Sequence, residues 1–377
     1  MKLKVTHYIL VICCTLTLTS CWDQELLKES KLVYGAGFDY ESNNMIRTTF
    51  VVRNLGVPVS QGGVYSNRIV SVVGPSSRET RLQMDRIISK QLSASKNQLL
   101  LLGEEVAKHN IDHMLDILFR DPKSPLDARI AVVEGRALDI FNLDTIGDTL
   151  IVEFTTDLIK GAENKTEATK MTVEKAFRYS LDEGQDYALP YISFNEEASS
   201  PEFNGLALFH ETTYTGTTLS PSDAKLLLLM NNESSNKTSI VEFLDNDPNN
   251  EFLTNTVTIN VRNDSVEKDY SIKNNQLEKV TINLELRGNI EEYPQNNLKE
   301  KSQLTDIADD LSKRLTVRAN EILNKLQEAN CDFLGIGRDL NAYHHKAWNA
   351  KRWEKEYKEI KLEAKVKVDI DETGIIK

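Results

Sequence analysis

The sequence predicts a mixed α/β and α+β fold in several lobes: an N-terminal α/β domain, then a C-terminal domain of antiparallel strands with one long helix. Three observations carry this. In the first half, short apolar runs alternate with segments of helical period, the order of strands separated by helices. In the second half, apolar residues recur at every other position, as in 276–290, where Val280, Ile282, Leu284 and Leu286 share one face. That pattern belongs to antiparallel strands with one face buried. Over 298–329, Leu304, Ile307, Ala308, Leu311, Leu315, Ile322 and Leu326 fall on one helical stripe among Lys, Asp and Glu. A helix of about 30 residues would run about 45 Å.

Taken in order, 32–40 and 45–52 read as a hairpin around the Asn-rich tetrapeptide 41–44. Gly35 and Gly37 are placed for close backbone packing, since the longer glycine pattern of a phosphate loop is absent. A Gly-rich loop is expected over 57–67, a strand over 68–73, and a helix from Ser77 through Leu82, Ile87, Ile88 and Leu92. Next come a short strand at 98–102 and a helix over 104–119, broken near Asn110, which can cap its second half. A buried strand at 128–133, helices at 149–159 and 172–181, and a strand at 187–194 complete this half. The polar segment 195–204 marks a boundary, giving domains 32–197 and 198–377, the second with room for two lobes. Beyond it, a strand covers 205–210, and Ser220 with Pro221 starts a short helix ending near Met230. A loop at 231–237 precedes strands at 239–244, 252–261 and 276–290. The long helix is expected to pack across this sheet. A helix from Arg338 through Trp348 and an alternating strand over 360–370 close the chain.

The first 21 residues carry the clearest signal. Lys2 and Lys4 precede an apolar run from Tyr8 to Leu18, and Leu18-Thr19-Ser20-Cys21 follows. Basic, apolar and small residues in that order make a secretory signal peptide. An aliphatic residue three places before Cys, with two small residues between, is the pattern of bacterial lipoprotein processing. Residues 1–20 are then a signal peptide cut between Ser20 and Cys21. Cys21 becomes an S-diacylglycerol cysteine with an N-acyl group, and 21–31 forms anchor and tether. The apolar run of about 11 residues is too short for a bilayer core, which needs about 20. A plain signal with a chance Cys, or an uncleaved anchor, is the alternative.

Net charge is −12 in 377 residues, with 27% charged and 40% hydrophobic. That composition is that of an ordinary globular body. Its sign argues against nucleic acid and against attraction to anionic lipid, so membrane attachment would have to be covalent. Four cysteines occur: Cys13, Cys14, Cys21 and Cys331. With the first two removed and the third alkylated, Cys331 remains alone and reads as a small buried hydrophobe.

No catalytic constellation stands out. His109 and His113 have the spacing of a helical zinc pair, but the Glu that should follow the first His is missing, and they read as surface histidines. His344 and His345 are adjacent and cannot share one helix face. Gly335-Ile336-Gly337 lacks the third glycine of a phosphate-cradling turn. Asp309-Asp310 and Glu291-Glu292 read as solvated faces, and no metal site or cofactor is expected.

Two stretches carry a resemblance. Ser20-Cys21-Trp22-Asp23 with Leu32-Val33-Tyr34-Gly35-Ala36-Gly37-Phe38-Asp39 is similar to the opening of the Ger(x)C lipoproteins, the C subunits of spore germinant receptors. Asp332-Phe333-Leu334-Gly335-Ile336-Gly337, Trp348, Trp353 and 371–375 follow that family's C-terminal order. Ser20 stands where Gly is commoner, and Asp371-Glu372 replaces a basic pair. The resemblance implies a non-enzymatic, lipid-anchored receptor subunit on the extracytoplasmic face of the spore inner membrane. It further implies two integral-membrane partners, the A and B subunits, and a role in nutrient-triggered germination; direct nutrient binding by this subunit is left open. A solute-binding lipoprotein of an ABC-type transporter is the second reading. An exported hydrolase is the third.

Overall fold

The computed structural model describes residues 30–54, 66–121, 124–235, 238–243, 256–293 and 301–372. Ser20, Cys21 and most of the loop expected at 57–67 lie outside them.

The predicted opening hairpin is β1 (Ser30–Glu41) with β2 (Met45–Asn54), paired from Glu41↔Met45 to Val33↔Val52. Asn43 and Asn44 both take φ near +60°, the turn geometry that short Asn side chains tolerate. Then come β3 (Ser66–Gly74), α1 (Ser77–Ile87), β4 (Gln91–Ser93), β5 (Leu99–Gly103), α2 (Glu104–Ala107), α3 (Asp112–Arg120) and β6 (Arg129–Val133). Next are α4 (Ala137–Phe141), the small hairpin β7 (Thr145–Ile146) and β8 (Thr149–Leu150), α5 (Ile151–Asn164) and α6 (Val173–Ser180). They are followed by β9 (Ala188–Asn195), β10 (Ser200–His210), β11 (Thr213–Leu219) and α7 (Pro221–Met230). The remainder is β12 (Ser239–Phe243), β13 (Thr256–Lys273), β14 (Gln276–Glu292), α8 (Lys301–Glu328), α9 (Ile336–Tyr343), α10 (Ala350–Glu359) and β15 (Lys361–Glu372).

Nine strands form one mixed sheet in the order β11-β10-β9-β6-β5-β1-β2-β3, with β4 beside the start of β1. Its centre is parallel, β1 to β5 to β6 to β9, and both faces are covered. Leu100 and Leu102 join the core under α1 and α3, while Leu99 and Leu101 join Phe141, Ile151 and Ile159 of α4 and α5. A fully apolar run such as Leu99–Leu102 is therefore a central strand buried on both sides.

The second sheet runs β12-β13-β14-β15, antiparallel except for β14 beside β15. Helix α8 lies across it, burying Leu311, Leu315, Ile322 and Leu326 against Val280, Ile282, Leu284 and Val366 in one core. The longest apolar run after the N-terminal segment, Leu226 to Met230, is the second half of α7 and is buried between β10 and β11 of the large sheet and β14 and α8 of the small one. A helical turn apolar on every side belongs in a core, and this one joins the two sheets.

Several expectations shift. The first helix ends at Ile87, and Leu92 instead pairs in parallel with Lys31. Within the polar segment 195–204, the turn at 196–199 joins β9 and β10 as a hairpin, Asn195↔Ser200 to Ala188↔Leu208. Strand β13 continues past Val261 to Lys273 because β14 supplies its whole ladder. The helix that opens this last part ends at Tyr343, short of Trp348. Among the described residues, α4, the β7–β8 hairpin, β11 and α10 were not expected.

Gly35, Gly37 and Asp39 share one face of β1, and together they receive α4. A Cβ on Gly35 would stand 2.7 Å from Val152 Cγ2, and one on Gly37 2.8 Å from Phe141 Cε2 and 2.9 Å from Ala137 Cβ. Two residues on, the buried carboxylate of Asp39 accepts from Ala137 N at 2.7 Å and Leu138 N at 3.1 Å, capping the helix that the glycines admit. Gly37→Ala should cost about 1–3 kcal/mol by overpacking. Urea unfolding of the full chain should show a lower midpoint, recovered in part by Phe141→Leu.

Candidate functional site

The second motif stretch, 332–337, lies where the two halves of the chain meet. It begins after α8, where Cys331 is fully buried and burial pushes its thiol well up, so it packs as the small hydrophobe expected. Asp332 follows, 3% exposed. Its Oδ1 accepts from Ile336 N at 2.9 Å, and its Oδ2 from Gly337 N at 2.8 Å and the Trp353 indole N–H at 3.1 Å. Gly335 takes φ +65°, which lets the chain turn back over the carboxylate, and a Cβ on Gly337 would lie 2.6 Å from Trp353 Nε1 and 2.8 Å from Trp348 Cζ3. Asp, Gly, Gly, Trp and Trp thus form one packed unit.

That unit is clasped by the 184–187 turn. Asp186 N donates to Asp332 O at 3.0 Å and Arg338 N to Gly184 O at 2.8 Å. In return Asp332 N donates to Asp186 Oδ2 at 2.9 Å. Gln185 Nε2 donates to Phe333 O at 3.2 Å, and Arg338 Nη1 to Gln185 Oε1 at 2.6 Å. From the other side, Lys268 Nζ of β13 donates to Leu334 O at 2.6 Å and Tyr270 Oη to Asp339 Oδ2 at 2.6 Å.

Asp186 also meets His210 Nδ1 at 3.2 Å and accepts from Glu211 N at 2.7 Å. The hydrogen bond to Asp186 raises the His210 pKa above its ordinary value. These two residues face a cavity of about 600 Å³ also lined by Asn110, Glu211, Trp353 and Glu354. A His–Asp pair can orient a general base, but among the described residues the partners at His210 Nε2 are Asn330 Nδ2 at 3.2 Å and Glu354 Oε1 at 3.9 Å, neither of them a hydroxyl or a thiol. Chemically the arrangement fixes a junction.

His109 and His113 are exposed, His109 stacked on Tyr40 at 5.0 Å, and His344 packs by Tyr270 at 5.3 Å. Among the described residues no group of His, Cys, Asp or Glu is placed to hold a metal. Sequence reading reached Asp332, Gly335, Gly337, Trp348 and Trp353, but not Gln185, Asp186 or His210. The one signal for these was a short polar turn ahead of a strand.

Burial pushes the Asp332 carboxyl up to about 7, against the pull of the Gly337 and Ile336 N–H groups. A carboxyl raised on folding binds more protons in the folded state, so its contribution to stability falls as pH rises from about 4 to about 7 and is level beyond. Asp332→Asn removes this slope. It also turns an N–H₂ toward backbone N–H donors, which should cost about 1–3 kcal/mol at neutral pH. Denaturant titrations of both forms from pH 4 to 8 measure the two effects together.

The description "Spore germination protein N-terminal domain" matches residues 23–194, and "Spore germination B3/ GerAC like, C-terminal" matches 204–374. The chain is 20% identical to spore germination protein GerQC of Bacillus cereus over 98% of its own length and 99% of that protein's. It is 22% identical to YfkR of Bacillus subtilis (strain 168), over 100% and 98%. Its fold is similar to the crystal structure of the GerBC protein, with TM-score 0.57 and 16% identity over 89% of this chain and 96% of that one. Matched in both halves and along nearly its full length, the chain belongs to the GerAC family of spore germination proteins.

Proposed function

We propose that this chain is the lipid-anchored, non-catalytic C subunit of a nutrient germinant receptor that triggers spore germination. The observation that carries the reading is the end-to-end family match joined to the Leu18-Thr19-Ser20-Cys21 sequence. In this reading Cys21 bears the diacylglycerol and an N-acyl group. Residues 21–31 then tether a body on the extracytoplasmic face of the spore inner membrane, beside integral-membrane A and B subunits. Two acyl chains anchor stably where one binds only marginally. No described helix is long and apolar enough to cross a membrane. The transporter reading loses ground on two counts: the family match, and the unlikeness of the two sheets, which differ from the paired α/β lobes that close on a solute.

Cys21→Ala in the full-length protein should leave it in the soluble fraction and reduce nutrient germination to the level of a strain lacking the chain. Membrane fractionation and germination of the same spores measure both. Full germination by a soluble Cys21→Ala protein would sink the proposal.

A further inference from the structure

At the junction, His210 touches three segments at once, and imidazole is a side chain that changes charge near neutral pH. It ends β10 with its side chain 28% exposed, and a tight turn with Glu211 at φ +50° follows. Its Nδ1 meets Asp186 of the 184–187 turn, and its Nε2 meets Asn330, just past α8, and Glu354 of α10. The charged groups around the ring are mostly carboxylates. Asp186 and Glu211 stand beside it and Glu354 faces it from α10. Asp182, Glu183 and Asp332 line the same cavity, with Lys351 of α10 as the cation among the described lining residues; Asn110 and Thr212 are neutral.

Asn330 accommodates either charge state of the ring. It is 6% exposed, its Nδ2 lies 3.2 Å from His210 Nε2, and its Oδ1 meets no donor. That orientation suits a neutral ring, whose Nε2 accepts while its Nδ1–H donates to Asp186. An imidazolium carries N–H on both nitrogens. A half-turn of the Asn330 amide then brings Oδ1 to the Nε2–H, and Glu354 Oε1, at 3.9 Å, becomes the counter-charge on that side. The hydrogen bond to Asp186 raises the His210 pKa above its ordinary value, so the junction favours the charged ring. Helix α10 has few other anchors. Trp353 and Tyr357 are its buried residues, and Gln327 Nε2 donates to Tyr357 O at 2.8 Å.

We propose that His210 is a proton-operated clamp on α10. Charged, the ring bridges Asp186 to Glu354 and draws α10 over the cavity. Neutral, it keeps Asp186 and Asn330 but lets Glu354 go, so α10 loosens while the two sheets stay joined through α7. A histidine whose pKa is raised on folding contributes stability that is fully present below about 6.5 and is lost as pH rises through the folded value. The clamp goes beyond the receptor reading and operates in the chain alone.

Hydrogen exchange of the full-length protein from pH 6 to 9, with intrinsic rates divided out, follows α10. Protection of the 350–359 amides should fall by about two- to fivefold across this range, the scale of a half-exposed ion pair. In His210→Gln it should start at the high-pH level, and the ratio of the two proteins removes the Asp332 titration common to both. The Glu354 side chain is 72% exposed, so Glu354→Gln leaves the core untouched. It should remove most of the pH dependence and lower the midpoint of the His210 C2–H proton NMR signal, which is the one missing from His210→Gln. Equal pH dependence in the wild type and either variant, α10 protection that does not change with pH, or a His210 signal titrating at or below about 6.5 would overturn the clamp. None of these outcomes bears on Cys21 or on membrane retention.

Discussion

A carboxyl group taken out of water is driven to protonate unless donors in the protein offset the loss, and Asp332 draws that partial offset from backbone and indole N–H groups of two separate segments. The rest of the junction follows from this requirement. The turn must double back so that Ile336 and Gly337 present their N–H groups, which needs the left-handed Gly335. Trp353 must come close enough to donate, which allows no Cβ at Gly337. Its helix, α10, is then held at the bottom, where Tyr357 Oη donates to Cys331 O at 2.9 Å.

The N-terminal motif obeys the same logic on a strand. There, too, a buried carboxylate, Asp39, accepts two backbone N–H groups, and two glycines clear the ground for the element that supplies them. Each motif is thus an Asp with glycines on the same surface, and each fixes a helix to a sheet or a turn. Residue types that in another setting mark catalysis or phosphate binding are here consumed by architecture: both oxygens of Asp332 and both of Asp39 already have donors. A general base needs a lone pair aimed at a substrate, and both carboxylates are buried, Asp39 at 1% and Asp332 at 3% exposure, against the donors that hold them.

The parts of this fold that show in the sequence are those whose local pattern and tertiary role agree. Asn43 and Asn44 announce a tight turn, the α8 stripe a one-sided helix, and Val280 to Leu286 a one-sided strand, and each packs as its period demands. Where the deciding partner is remote, the pattern is silent. Strand β11 has few apolar residues and exists because β10 offers it a ladder. The far half of β13 shows only Val266, Tyr270 and Ile272 as apolar residues and is specified by β14. Helix α10 is rich in Lys and Glu and buries little beyond Trp353 and Tyr357, one turn apart. At the junction, Asp332 was visible through its glycines, but Asp186, which holds its backbone N–H, lies 146 positions away. Nothing local to either segment encodes that pairing.

Burial of Leu226 to Met230 of α7 on all sides has a mechanical consequence. Its leucines belong to the same core as β10 of the large sheet and as β14 and α8 of the small one, so the two sheets share apolar surface. Interfaces between independent domains are smaller and more polar, and relative motion is their default. Here a hinge between the sheets would expose Leu226 to Met230 to water, at about 1.5–3 kcal/mol for each side chain uncovered. The junction hydrogen bonds at 184–187 and 332–338 lie in parallel with that apolar contact and add direction to it. The two halves therefore share one continuous apolar core, and relative motion between the sheets has to open it.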